Sequence, residues 1–166
     1  ANEEAKYHVV KSNDIYEIRK YSDRLAIQVA SKNGNNGFRK LFNYISGNNE
    51  TNQKIKMTVP VTVIGKSGNM TMQFYLPSKF DKNNIPDPTS SDVEIINIEG
   101  GYYAVIRYSG RASDNNFIKH KDILESELYK DGIVIKAPPI KATYNTPFTL
   151  PLMRRNEAMF NVSYKN

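Results

Sequence analysis

With 166 residues, 39% of them hydrophobic, and no cysteine, the chain is sized for one domain around a single core, and disulfides, thiolate metal sites and thiol nucleophiles are excluded. Its 23 basic and 17 acidic residues leave a net charge of +6, which draws anions to the surface, yet the cations are scattered among Asp, Glu and Asn without a basic run, so nucleic acid is not an expected partner. No apolar run approaches the ~20 residues of a membrane-spanning helix, so no transmembrane segment is expected.

Along the chain, Tyr7–Val10 and Ile15–Arg19 read as short strands, and Leu25–Ala30 as a third in which Leu25, Ile27 and Val29 alternate with smaller or polar residues. The cluster Asn33–Gly37 predicts a loop. Phe38, Leu41, Phe42 and Ile45 then fall at i, i+3, i+4 and i+7, the spacing of an amphipathic helix that Gly47 ends. Ile55–Ile64 alternates, Gly65–Asn69 turns, and Met70–Leu76 returns as the second strand of a hairpin. Phe80–Ser91, with Pro86 and Pro88, is the connector to the second half of the chain.

The second half predicts strands at Val93–Ile98 and Tyr102–Tyr108 about a Gly100-Gly101 turn. Ser113 or Asp114 caps a helix that runs to about Lys130, buries Phe117, Leu124 and Leu128, and stops at Gly132. Ile133–Lys136 and Ile140–Tyr144 are strands, and Pro138-Pro139 between them forces an edge or a break. Asn145–Arg155, with Pro147 and Pro151, is a long apolar loop, and Met159–Tyr164 is the closing strand. The two halves, about 7–77 and 92–164, repeat each other. Ile15 matches Val93, Leu25 matches Tyr103 and Pro60 matches Pro138 at an offset of 78 residues, and Phe38 matches Phe117 at 79. Two helices and eight or nine strands in a doubled β-α-β-β unit predict a single α+β domain with a curved antiparallel sheet, and a seam between like halves is where a small ligand would lodge.

Certain stretches carry a family resemblance. Gly37-Phe38-Arg39-Lys40-Leu41, Tyr44-Ile45-Ser46-Gly47 and Lys54-Ile55-Lys56-Met57-Thr58-Val59-Pro60-Val61-Thr62 are the strongest. Tyr16–Tyr21, Phe74–Pro77, Tyr144–Pro147 and Arg154–Glu157 add to them in the same order. Together they resemble the SOUL haem-binding protein family over almost the whole chain. The resemblance implies a distorted antiparallel β-barrel with two flanking helices, related to GyrI-like effector-binding domains, and binding of haem or another tetrapyrrole.

It also implies a shallow apolar groove between the first helix and the loop before the last strand. That groove would be lined by Phe38, Leu41, Phe42, Ile45 and Met57 and by Phe148, Leu150, Leu152 and Met153. For the helix residues ordinary core packing competes with this role, whereas apolar side chains on a proline-rich loop have less structural reason to be there. The axial histidine of some members aligns with Tyr21, which would serve as the metal ligand only with help from Arg19, Lys20 or Arg24; packing at a strand end is its competing role. The positions that hold the propionates align with uncharged Asn35, Asn43 and Leu150, leaving Arg39, Lys54, Lys56, Arg154 and Arg155 as substitutes.

No catalytic motif stands out, and no set of metal ligands surrounds His8 or His120. The leading expectation is a non-catalytic tetrapyrrole binder for sequestration or transport. The alternatives are an interaction or effector-sensing module with a protein partner that has lost haem, and a small hydrolase using a buried Glu99 or Glu157, although an ion pair or the capping of backbone groups at the last strand is the expected role of Glu157. Ala1 suits signal-peptidase cleavage, which leans towards a secreted or periplasmic location, with the cytoplasm otherwise expected. The sequons at Asn49, Asn69 and Asn161 are expected to be chance in so Asn-rich a chain.

Overall fold

The computed structural model describes residues 2–31, 37–66 and 68–165, so most of the loop expected at Asn33–Gly37, Asn35 included, lies outside the described residues. In chain order the first elements are β1 (Glu3–Glu4), β2 (Tyr7–Ser12), β3 (Glu17–Tyr21), β4 (Arg24–Ser31), α1 (Gly37–Ile45), β5 (Thr58–Val59), β6 (Val61–Lys66) and β7 (Asn69–Tyr75). Then come β8 (Glu94–Ile98), β9 (Gly101–Tyr108), α2 (Asp114–Lys130), β10 (Val134–Ile135), β11 (Ile140–Thr143), a 3₁₀ turn at Pro151–Met153 and β12 (Asn156–Ser163). The expected α+β class, with two helices and antiparallel strands, holds.

These elements form two compact units. Unit one comprises the residues up to Ala5 with Asp23–Glu99, and unit two comprises Lys6–Ser22 with the chain from Gly100 onward. Unit one carries the antiparallel sheet β6-β7-β4-β8, with β1 and β5 as a short parallel pair. Strand alternation sends Ile27, Val29 and Phe74 to the face that α1 covers with Leu41, Tyr44 and Ile45. The connector after β7 contributes Phe80 and Val93 to the same core. The run expected as one strand at Ile55–Ile64 is divided at Pro60, which has no N–H to give to a ladder. In the β6–β7 hairpin, Gly65 has φ +122°, and a Cβ there would lie 2.3 Å from the Asn69 carbonyl oxygen, so only glycine fits.

Unit two carries β2-β3-β9-β12-β11, with β10 also on β12. Here Ile18, Ala104, Ile106, Ala158 and Phe160 face α2, whose Leu124 and Leu128 are fully buried. Phe117 packs against this cluster while half-buried. Ser113 is the cap, its hydroxyl accepting from the Asn116 amide at 3.2 Å. The chain turns at Gly132, where φ is +70°.

The strand orders β8-β4-β7-β6 and β3-β9-β12-β11 are equivalent, so the two units repeat one arrangement of strands. Each sequence half sends its leading strand to the other unit: β3 joins unit two and β8 joins unit one. The strand faces also correct the offset by one residue. Leu25 faces its helix as Ala104 does, whereas Tyr103 is on the opposite face of β9, so β4 matches β9 at 79, the offset of the phenylalanines. A slip of one residue exchanges the two faces of a strand.

Replacing Leu124 with Ala is expected to destabilise the protein by ~2–5 kcal/mol in a urea melt, because it opens a cavity where no side-chain surface is exposed.

Candidate functional site

The residues assigned by resemblance divide between the two units, and each set has its own geometry. On α1, the buried arc is centred on Leu41, Tyr44 and Ile45. At ~100° per residue, Phe38 lies ~60° from Leu41 and Phe42 ~100° from it, on the rim of that arc. Leu41 and Ile45, at 0% and 6% exposure, are therefore core residues of unit one. Phe38 and Phe42, at 48% and 47%, keep part of their surface in solvent. Their rings stack at 5.9 Å with 13° between planes, and Phe38 also meets Phe74 edge-on at 5.2 Å. Arg39 between them is exposed, and Lys40 pairs with Asp92 at 3.0 Å. Further along unit one, Met57 is half-buried against the core, while Lys54 and Lys56 are exposed. Asn43 is exposed and uncharged.

Sequence periodicity missed Tyr44, which is 1% exposed and donates its hydroxyl to the Pro86 carbonyl at 2.5 Å. Burial, followed by the nearby Asp87 charge, pushes this phenol up to about 12. Asn49 is also buried, with its amide donating to the Tyr44 and Gln53 carbonyls, so the sequon there is inaccessible in the folded chain.

In unit two, Phe148, Leu150, Leu152 and Met153 are all strongly exposed. Their proline-bearing loop is nevertheless ordered by its own hydrogen bonds. The Pro151 carbonyl accepts from the Gly110 and Arg154 amides, and the Asn145 side chain accepts from the Arg155 amide at 2.6 Å. Arg154 is half-buried and donates to the Thr146 carbonyl at 3.1 Å.

The face of the unit-two sheet away from α2 carries a buried ionic cluster. Alternation places Glu17, Arg19 and Tyr21 of β3 on that face together with Glu157 of β12. Arg19 clasps Glu157 in a two-pronged pair, Nη1 to Oε1 at 2.9 Å and Nη2 to Oε2 at 2.8 Å. The Tyr144 hydroxyl donates to Oε1 at 2.5 Å, and Arg155 Nε donates to Oε2 at 3.2 Å. Arg19 also reaches Glu17 at 2.6 Å and lies 4.1 Å from the centre of the Tyr7 ring.

Tyr21, 5% exposed, packs among Tyr7 and Tyr103 and accepts from Arg19 Nη1 at 3.0 Å. The residue expected as the metal ligand is thus a buried phenol engaged by a guanidinium. Arg19, expected as the cation beside Tyr21, has Glu157 as its main partner.

Burial alone would raise the Glu157 pKa, but hydrogen bonds and charge from Arg19, then Tyr144 and Arg155, hold it below the ordinary carboxylate value. Burial and the adjacent Glu157 charge push Tyr144 up, and the Glu157 interactions raise Arg19 despite its burial. A carboxylate with both oxygens occupied and its basicity suppressed is a poor general base. Glu99 is exposed. His120 stacks on Tyr108, centroids 4.1 Å apart and planes 3° apart, with Nδ1 2.8 Å from the Asn116 carbonyl oxygen. Among the described residues no cluster of three or more His, Asp or Glu could hold a metal ion, and no helix is long and apolar enough to cross a membrane.

Comparison with known proteins gives one family and a set of shared folds. The family described as SOUL heme-binding protein matches residues 2–161. Human Heme-binding protein 2 is 35% identical over 158 residues, covering 86% of this chain and 75% of that protein. The mouse protein of the same name is 33% identical over 129 residues, covering 73% of this chain and 62% of its own length. Among solved structures, an uncharacterized conserved protein from Listeria innocua matches with a TM-score of 0.66 at 14% identity, covering 90% of this chain and 92% of that one. The C-terminal domain of EcmrR matches at 0.63 and 13%, over 95% and 98%, and a hydrolase from Listeria innocua at 0.63 and 10%, over 93% and 94%. At such identities the likeness carries the fold alone.

Glu157→Ala leaves Arg19 as an unmatched buried charge and is expected to cost ~3–5 kcal/mol in denaturant unfolding, with the double variant Arg19→Met/Glu157→Leu recovering part of the loss. Because the folded-state pKa of Glu157 is lowered, its pH-linked stabilisation is complete above the ordinary value of 4.5 and is lost as pH falls through the folded value. Unfolding midpoints measured on the acid side should therefore depend less steeply on pH in Glu157→Gln than in the parent chain.

Proposed function

The chain belongs to the SOUL heme-binding protein family, and on that premise we propose that it binds haem without catalysing a reaction, for sequestration or transport. The observation that carries the proposal is the stacked pair Phe38–Phe42, half-exposed on the rim of α1. A porphyrin offers a broad apolar face that such rings can cover, and offset aromatic contacts add to the gain from burial. Arg39, Lys54 and Lys56 are exposed cations of the same unit suited to propionates, and Arg39 adjoins both rings in sequence. In unit two, Phe148, Leu150, Leu152, Met153 and Arg154 are a second candidate surface, tested by variants of their own.

In this reading no strong axial bond forms through Tyr21, because its oxygen is engaged inside the Arg19 cluster. The non-catalytic assignment draws support from the saturated coordination of Glu157 and the exposed position of Glu99. The burial of Tyr21 also favours the second reading, an interaction or effector-sensing module that has lost haem.

Titrating the haem-free protein with hemin while following the Soret band is expected to give a saturable shift. Phe38→Ser/Phe42→Ser should weaken it by about tenfold or more, and Tyr21→Phe should leave the band position unchanged. A response in the parent chain that never saturates would overturn haem binding in favour of the interaction module. An unchanged affinity in the double variant would remove α1 as the contact surface, and Leu150→Ser/Leu152→Ser then reports on the loop.

A further inference from the structure

Residues 148–153 of unit two have properties that haem does not require. Phe148, Leu150, Leu152 and Met153 are 95%, 67%, 88% and 72% exposed, so the protein provides almost no wall on any side of them. A rigid flat ligand would leave much of that surface in water. A partner that deforms around the side chains would cover it all.

Part of the backbone beneath them is paired internally. The Gly110 amide donates to the Pro151 carbonyl at 2.8 Å, Met153 to Leu150 at 2.9 Å, Thr149 to Thr146 at 3.1 Å and Arg154 to Pro151 at 3.2 Å. Internal pairing of this kind is what entry into a water-poor layer demands, since an unpaired amide or carbonyl there is costly. Segment 145–155 contains no acid, and of its two arginines Arg155 is paired with Glu157; Arg154 donates to the Thr146 carbonyl, and the exposed Arg111 follows the Gly110 anchor.

We infer that the ordered apolar tip Phe148–Met153, flanked by Arg111 and Arg154, docks the protein onto an anionic lipid surface. Phe148, Leu150, Leu152 and Met153 enter the boundary between headgroups and acyl chains, and the arginines meet the negative headgroups. The docking needs no haem, so its test is independent of the hemin titration.

Haem-free protein is sedimented with vesicles of phosphatidylcholine alone and of phosphatidylcholine with phosphatidylserine. Binding to the mixed vesicles is expected, with weaker binding to the neutral ones and at high salt. Phe148→Ser/Leu152→Ser should lower the vesicle-bound fraction by about tenfold or more, and Arg154→Gln by about fivefold. The chain has no tryptophan, so Leu152→Trp introduces a single reporter whose emission should shift to the blue on adding mixed vesicles. Tyr129→Trp, on the exposed side of α2, should not shift.

Absence of vesicle binding, a Leu152→Trp spectrum that does not move, or an equal shift at position 129 would overturn the proposal. So would self-association that disappears in the serine double variant without any lipid binding, since a second copy of the chain would then be the occupant of the tip.

Discussion

A guanidinium and a carboxylate almost wholly removed from solvent must find each other, and in unit two Arg19 and Glu157 do so across the strand between them. β3 and β12 both flank β9, so the pair spans two strand spacings, roughly 10 Å of sheet. Two parallel hydrogen bonds of 2.8–2.9 Å tolerate no slip of either strand. A one-residue shift of β3 would turn Arg19 towards the apolar face under α2 and strand both charges. The pair therefore selects one register for a strand drawn from the beginning of the chain and one drawn from its end, and it draws Tyr21, Tyr144 and Arg155 into a fixed arrangement around them. In that arrangement the Tyr21 phenol and the Glu157 carboxylate are both buried and hydrogen-bonded.

Where local periodicity decides the outcome, the sequence was a good guide. Alternation located the strands, Ser113 and Gly132 bounded α2, and its stripe of Leu124 and Leu128 is buried as expected. The internal repeat was visible too, but only to within one residue, because hydrophobic matching alone cannot distinguish Ala104 from Tyr103 when both are buried. The passage of β3 and β8 into opposite units left no local trace, since strand pairing is a long-range property.

The site was less accessible to sequence than the fold. Four apolar residues at helical spacing do not reveal which of them faces the centre of a core and which its rim; the decisive residue was Tyr44, whose hydroxyl hid it from an apolar pattern. Tyr21 looked like a strand-end side chain able to meet a ligand, and the tyrosines that enclose it come from neighbouring strands. By contrast, the unusual loop at 145–155 was recognisable from composition, because apolar residues between prolines lack a helical or strand partner to satisfy, and all four of its large apolar residues are exposed.

The exchange of leading strands bears on how the polypeptide could be divided. A cut in the connector near Pro86 separates the two repeats in sequence, yet each fragment then carries a strand that belongs in the other's sheet. The C-terminal piece would lack β2 and β3, with Ile18 missing from its core and Arg19 missing from beside Glu157. The repeats, alike in strand order, depend on each other for their strands, and two such fragments should recover native structure on mixing rather than apart.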